Sequence, residues 1–236
     1  QYENLYLSPS FSISSEKLTT TSKASSNYKK QDGSYFDALL NYSIKYNTLN
    51  SSFRPSDGSI STFSQELPVL SDGYTIINGY QFTNFNEVVE GSILSMGIYT
   101  RAANTLKSDK DVRVSKRMFI PGSKLRGFKT GKVGPKDGKD YVGGNYMASF
   151  NTALTLPFLF PTYDNVDFSL FFDAANLWHV DYSKEVDQSN SVRAATGIGL
   201  NLITPIGPLS FSVSQPIAKA DGDTTESVRF NLGTTF

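Results

Sequence analysis

Few residues of this chain have the types and spacing that support reactive chemistry. Its one histidine, His179, stands beside Trp178 near a predicted strand end, and cysteine is absent. A lone imidazole in that position reads as an interfacial neighbour, not as the base of a triad or a metal ligand. Asp221-Gly222-Asp223 has the composition of a turn and only weakly that of a calcium loop. Lys107, Lys110, Arg113, Lys116 and Arg117 form a basic run that reads as a solvated surface, with anionic headgroups as the alternative contact. We therefore expect no enzymatic activity, no cofactor and no metal. Arg126 has the most to offer. Its guanidinium is a planar fork that grips a carboxylate at two points, although spacing alone describes only a solvated loop arginine.

Composition bounds the elements that position these groups. The 236 residues carry 22 basic and 22 acidic side chains and no net charge, which argues against a nucleic-acid partner. Aromatics reach 13%, with 17 Phe and 13 Tyr, at a mean hydropathy of −0.28. Barrel walls combine aromatic girdles with a polar lumen and give that pairing of values. No apolar run reaches the ~18 residues of a membrane helix. Without cysteine there is neither a disulfide framework nor a thiolate metal site. The chain opens on Gln1 with no signal segment, so a processed or partial polypeptide is expected.

Period-two alternation between turn clusters predicts about ten strands and no helix. They fall near residues 3–20, 38–47, 59–67, 74–83, 88–101, 145–156, 166–177, 193–203, 208–215 and 225–235. A polar loop covers residues 22–33, and Arg54-Pro55-Ser56-Asp57-Gly58 has turn chemistry. The alternation is cleanest late in the chain. Phe168, Leu170, Phe211, Val213, Phe230 and Leu232 share one face, and Asp173, Ser212, Ser214, Arg229 and Asn231 the other. A soluble sandwich shows the same alternation, but several strands have the ~9–11 residues that cross a bilayer, where soluble strands average about five or six. Residues 104–140 are too long and too polar for a hairpin connection, which marks them as functional or disordered.

Several motifs carry a resemblance. Leu125-Arg126-Gly127-Phe128, Val133-Gly134-Pro135 and Gly143-Gly144-Asn145 resemble the sixth extracellular loop of the BamA family of outer-membrane β-barrel assembly factors. Phe171-Phe172-Asp173-Ala174-Ala175-Asn176-Leu177-Trp178 is similar to the family's strand after that loop. Arg193-Ala194-Ala195-Thr196-Gly197-Ile198-Gly199, Ile203-Thr204-Pro205-Ile206-Gly207-Pro208-Leu209 and the closing Phe230-Asn231-Leu232-Gly233-Thr234-Thr235-Phe236 follow in family order. So does the earlier hairpin around Tyr42-Ser43-Ile44-Lys45-Tyr46 and Pro55-Ser56-Asp57-Gly58.

The resemblance implies an all-β fold, an antiparallel transmembrane barrel. Residues 1–236 would be the C-terminal portion of a sixteen-stranded wall, of the bacterial surface antigen type, with the POTRA domains absent. It implies a loop folded into the lumen, where Arg126 pairs with Asp173, Gly127 turns tightly and Phe128 wedges against the wall. A second wall carboxylate of some relatives aligns with Ala153, which leaves Asp173 as the acidic partner. Phe230, Leu232 and Gly233 would lie on a lateral seam, and Phe236 would end a targeting signal. The implied function is insertion and folding of nascent β-barrel proteins in the bacterial outer membrane. Its partners would be those proteins, assembly-complex lipoproteins and outer-membrane lipid. A TamA-like translocation factor, a passive diffusion porin and a soluble binding sandwich are the alternatives.

Overall fold

A computed structural model describes residues 3–52, 54–108, 110–156, 159, 165–186, 191–204 and 207–232. Its main sheet has ten antiparallel strands, each paired to its neighbours in the order β1 (Leu5–Leu18), β2 (Gly33–Asn47), β3 (Gly58–Ser71), β4 (Thr75–Val89), β5 (Ser92–Thr105), β8 (Tyr146–Thr155), β9 (Val166–Trp178), β10 (Arg193–Thr204), β11 (Gly207–Ala218) and β12 (Val228–Leu232). A separate two-stranded hairpin, β6 (Lys136–Asp137) with β7 (Asp140–Tyr141), lies in the long connection between β5 and β8. Apart from β12, the main strands have 10 to 15 residues, enough to cross a bilayer.

Side-chain alternation divides this wall into two faces of opposite chemistry. On one face, Phe168, Leu200, Phe211 and Phe230 lie in register across four strands, with the Phe211 and Phe230 rings 4.8 Å apart. The neighbouring row is Leu170, Ile198, Val213 and Val228. Six of these side chains are exposed, Leu170 at 46% and Phe230 at 55%, while Phe168 and Leu200 are half-buried. The opposite face carries the registered row Ser169, Gly199, Ser212 and Arg229, and beside it Asp173 opposite Ala195. Here Ser169, Asp173, Ser212, Ser214 and Arg229 are buried.

What buries that face is the connection between β5 and β8. Its Val112, Met118, Ile120, Leu125, Phe128 and Val133 pack with Ile77 of β4, Ala103 of β5, Met147 of β8, Ala175 and Leu177 of β9, and Ala195 of β10. The apolar core therefore sits between loop and wall, while the outer apolar rows have no protein cover among the described residues.

The structure corrects several predicted boundaries. β4 continues through Val89, so Val88 and Val89 do not open the next strand. The Asn84-Phe85-Asn86-Glu87 stretch has turn composition, yet the turn falls at Gly91, whose N–H donates to Glu87 Oε1 at 2.6 Å. The polar loop holds a one-turn helix, α1 (Ser26–Lys29), where none was expected. Ser25 caps it by accepting from the Tyr28 N–H. The last strand begins at Val228 instead of near residue 225, because residues 224–226 pair with the loop.

Candidate functional site

Arg126 and Asp173 meet across the wall. Arg126 Nε donates to Asp173 Oδ2 at 2.7 Å and Nη2 to Oδ1 at 2.8 Å, a two-point fork. The Arg126 backbone N–H adds a third bond to Oδ2 at 3.0 Å. The guanidinium carbon lies 3.4 Å from the centroid of the Phe171 ring, so the cation is also stacked. Asp173 is completely buried, and Arg126 retains about a fifth of its side-chain exposure. The strand parity that reserves Asp173 for the inner face also puts Phe171 there, one step along β9.

Asn151, directly opposite Asp173 on β8, completes the cluster. Its Nδ2 donates to Asp173 Oδ1 at 2.8 Å and to the Lys124 carbonyl at 2.9 Å. Ala153 faces Phe171 instead, one inward position away. An amide therefore stands at Asp173's cross-strand position and bonds both wall and loop. Lys124, beside the lock, is held below the ordinary lysine range chiefly by burial and secondarily by Arg126, while Asp173 opposes the shift.

Gly127 and Phe128 fix the chain beyond the arginine. Gly127 has φ +87, and a Cβ there would stand 2.9 Å from Ala195 Cβ, so both conformation and space require glycine. Phe128 is 1% exposed, inside the core between loop and wall. On β12, Phe230 and Leu232 lie on the outer face and are exposed. Gly233 and Phe236 lie outside the described residues.

Four further arginines are buried among loop, turns and wall. Arg113, expected on a solvated surface, is 4% exposed and pairs with Asp37 of β2, which also accepts from Ser71 Oγ at 2.6 Å. Arg113 Nε donates to Ser115 Oγ at 3.1 Å, and Ser115 Oγ donates to Glu16 of β1 at 2.8 Å. Arg117 is buried too, its guanidinium 5.0 Å from the Tyr182 ring centroid. The basic run is therefore partly internal, because the loop turns inward over the β1–β2 edge. Arg193 forks onto Asp223 at 2.8 and 3.1 Å. Asp223 also accepts from the N–H groups of Ala220 and Gly134, which commits that carboxylate to structural bonds. Arg229 of β12 donates to the loop carbonyls of Gly122 and Phe128. Asp37 and Arg229 both have inward parity in the sequence, a signal that identifies their face but not their partners.

His179 stacks on Tyr146 at 5.0 Å between ring centroids and stands 3.7 Å from Asp181. Its carbonyl accepts from the Asn145 N–H at 2.8 Å. No cluster of metal-ligating side chains occurs among the described residues.

An amphipathic antiparallel wall, apolar outside, with a long loop pinned by arginines to its inner face, defines a membrane β-barrel of the plugged type. The Omp85 superfamily domain matches residues 1–236, and the chain belongs to that superfamily. A SAM50-like protein of Schizosaccharomyces pombe is 29% identical over 155 residues, which cover 61% of this chain and 31% of that protein. The outer membrane protein assembly factor BamA of Neisseria meningitidis serogroup B is 28% identical over 141 residues, covering 48% of this chain and 17% of that protein. The crystal structure of Haemophilus ducreyi BamA lacking POTRA domains 1-3 superposes with a TM-score of 0.87 at 26% identity, over 97% of this chain and 51% of that one. The chain thus spans less than a third of those two relatives and about half of the solved barrel chain. The family expected from the ordered motifs is the family found.

Proposed function

We propose that this chain is the working wall of an outer-membrane protein assembly factor, one that helps nascent β-barrel proteins fold into the bacterial outer membrane without covalent chemistry. The carrying observation is the Arg126–Asp173 lock, which holds a long loop against the inner face of an antiparallel wall. Strand addition at a sheet edge supplies main-chain hydrogen bonds to an incoming chain of almost any sequence. That suits a factor whose clients share a fold and not a motif. The names of the Neisseria and Haemophilus relatives support the reading. A passive diffusion porin is disfavoured because the loop's apolar residues fill the face a porin leaves to water. Accessory lipoproteins and surrounding lipid complete the partners of this reading.

The test is reconstitution of the intact protein in liposomes with an unfolded client barrel. Client folding should exceed that in empty liposomes and fall when Asp173 is replaced by Ala. Solute flux without client folding would instead identify a porin.

A further inference from the structure

The outer face of the wall is not evenly filled. Where β4, β5, β8 and β9 approach the long loop, it carries a groove of about 260 Å³. The floor is made of small side chains, Thr100 and Ala102 of β5 and Ala148 of β8, which lies opposite Thr100. Alternation gives these three the outward parity of Ile98 and Phe150, away from Ala103 and Met147 in the core. Tyr80 of β4 borders the groove on one side, and Tyr146 of β8 and Trp178 of β9 on the other. Tyr146 does not fill it. Its Oη donates to Asn104 Oδ1 at 2.6 Å, and its ring stacks on His179 at 5.0 Å between centroids. Both contacts draw the ring toward the strand ends and away from Ala148.

Polar groups gather at the loop end of the groove. Tyr42 Oη donates to Gln65 Oε1 at 2.8 Å, and Gln65 Nε2 to Asn78 Oδ1 at 2.5 Å, a chain across three strands of the outer face. Asn78 stands opposite Ala102, and Asn104 is the next outward position of β5. Each amide has its oxygen engaged, that of Asn78 by Gln65 and that of Asn104 by Tyr146, and neither NH₂ donates to a described residue. In lipid such donors need an acceptor. The neighbouring cation, Arg101, has inward parity and pairs with Glu66 at 2.9 Å. Donors without a cation suit an uncharged carbonyl better than a phosphate.

We propose that this groove binds one acyl chain of a diacyl glycerophospholipid, seated on Thr100, Ala102 and Ala148, with the chain's ester carbonyl accepting from Asn78 and Asn104. The occupant follows from the surface, since the groove is continuous with the lipid-facing rows of a transmembrane wall. Its orientation follows as well. The amides lie nearer the strand ends, where a lipid carries its esters, and the small floor lies nearer mid-wall, where its chain runs. The volume is below the ~300–1,000 Å³ of pockets that enclose a drug-sized ligand, which admits one chain and not a whole lipid. The small floor lets that chain make the close contacts that dispersion requires. The inference rests on the lipid-facing wall and is independent of the assembly function proposed above.

The test uses the intact protein in dioleoylphosphatidylcholine vesicles with a trace of phosphatidylcholine that carries a diazirine on one acyl chain. After photolysis, adducts are located by peptide mass spectrometry. Adducts at Thr100, Ala102, Ala148 and Trp178 should exceed those at Ile198 and Val213, exposed outer positions beyond the groove, by at least about fivefold. Replacing the host lipid by its diether analogue, which lacks the carbonyls and competes less well, should raise groove labelling about threefold. These two arms need no variant to fold. Ala148→Leu, which fills the floor, should bring the groove adducts down to the level of Ile198. Asn78→Ala removes one donor, leaves the Tyr146–Asn104 bond in place and should shrink the rise in the diether host. Added lipid A should leave the adducts unchanged. Uniform labelling along the outer face, equal labelling in the two hosts, an unchanged pattern in Ala148→Leu, an undiminished rise in Asn78→Ala or displacement of the probe by lipid A would each overturn the proposal.

Discussion

Arg126 and Asp173 form the pair on which the loop's position most depends, and burial decides how much. Exposed ion pairs contribute about 0–1 kcal/mol. Removing one member of a buried pair costs about 3–5 kcal/mol, since the other charge is stranded. Asp173 has no exposure and cannot recover its solvation by moving, whereas Arg126 retains some contact with solvent. Arg126→Ala should therefore be the costlier change, near the upper end of that range, with Asp173→Ala somewhat milder. Arg126→Lys should rescue only in part, because an ammonium cannot fork onto both oxygens or stack flat on Phe171. Lys124→Ala should be neutral or stabilising, because it removes an ammonium that burial already disfavours. Thermal unfolding and client-folding yield of the four variants in one lipid check the order, and a Lys124→Ala defect as large as that of Arg126→Ala would contradict it. The lock was legible in the sequence because family motif and strand parity agree on its two charged ends. Asn151 was not, since an asparagine of inward parity looks like any polar lumen residue until its cross-strand partner is known.

At the scale of elements, two of the loop's charged anchors tie it to β9 through Arg126 and to β2 through Arg113. The two sites share no partner, so their losses should be largely independent. Arg113→Ala should speed hydrogen exchange near residues 110–120 and spare residues 125–133. The double variant with Arg126→Ala should release both stretches. Uniform release by Arg113→Ala alone would show one cooperative unit instead. The α1 turn is tied to this loop as well, since Tyr28 Oη donates to the Tyr141 carbonyl at 3.0 Å. Burial raises the Tyr28 phenol to about 12 from 10.0. The folded state thus keeps the proton that the unfolded state loses above pH 10, and stability falls as pH rises from about 10 through about 12. Tyr28→Phe should remove that part of the alkaline loss, as seen in parallel pH melts. Long strands were readable because period two repeats over many residues. The short elements were not. α1 is a single turn held by its cap and its tertiary contacts, below the length at which periodicity speaks. Residues 224–226 have strand character but spend it on the loop.

At the scale of the whole molecule, the outer face decides which solvent the fold requires. Leu170, Ile198, Val213 and Val228 beside Phe168, Leu200, Phe211 and Phe230 make a continuous apolar sheet surface. An exposed patch of that extent is a liability in water and the expected surface in lipid. The sequence pattern alone left a sandwich possible, because burial against a second sheet and contact with lipid call for the same alternation. What separates them is the inner face, where serines, Asp173 and Arg229 are covered by an arginine-pinned loop and not by another sheet. The prediction follows from that inversion. Fluorophores placed singly by cysteine at Leu170, Val213 and Phe230 should be quenched by acyl chains carrying nitroxides. Those at Asn201 and Ser210, which pair on the inner face, should not be quenched. The single tryptophan offers a label-free control. Trp178 has outward parity at the end of β9, with its ring 6.0 Å from that of Tyr146, where an aromatic girdle meets the headgroups. Its emission should be quenched most by bromines placed high on the acyl chain. Quenching that ignores the period of two, or that favours Asn201 and Ser210, would turn the barrel inside out and remove the lipid-facing assignment of the wall.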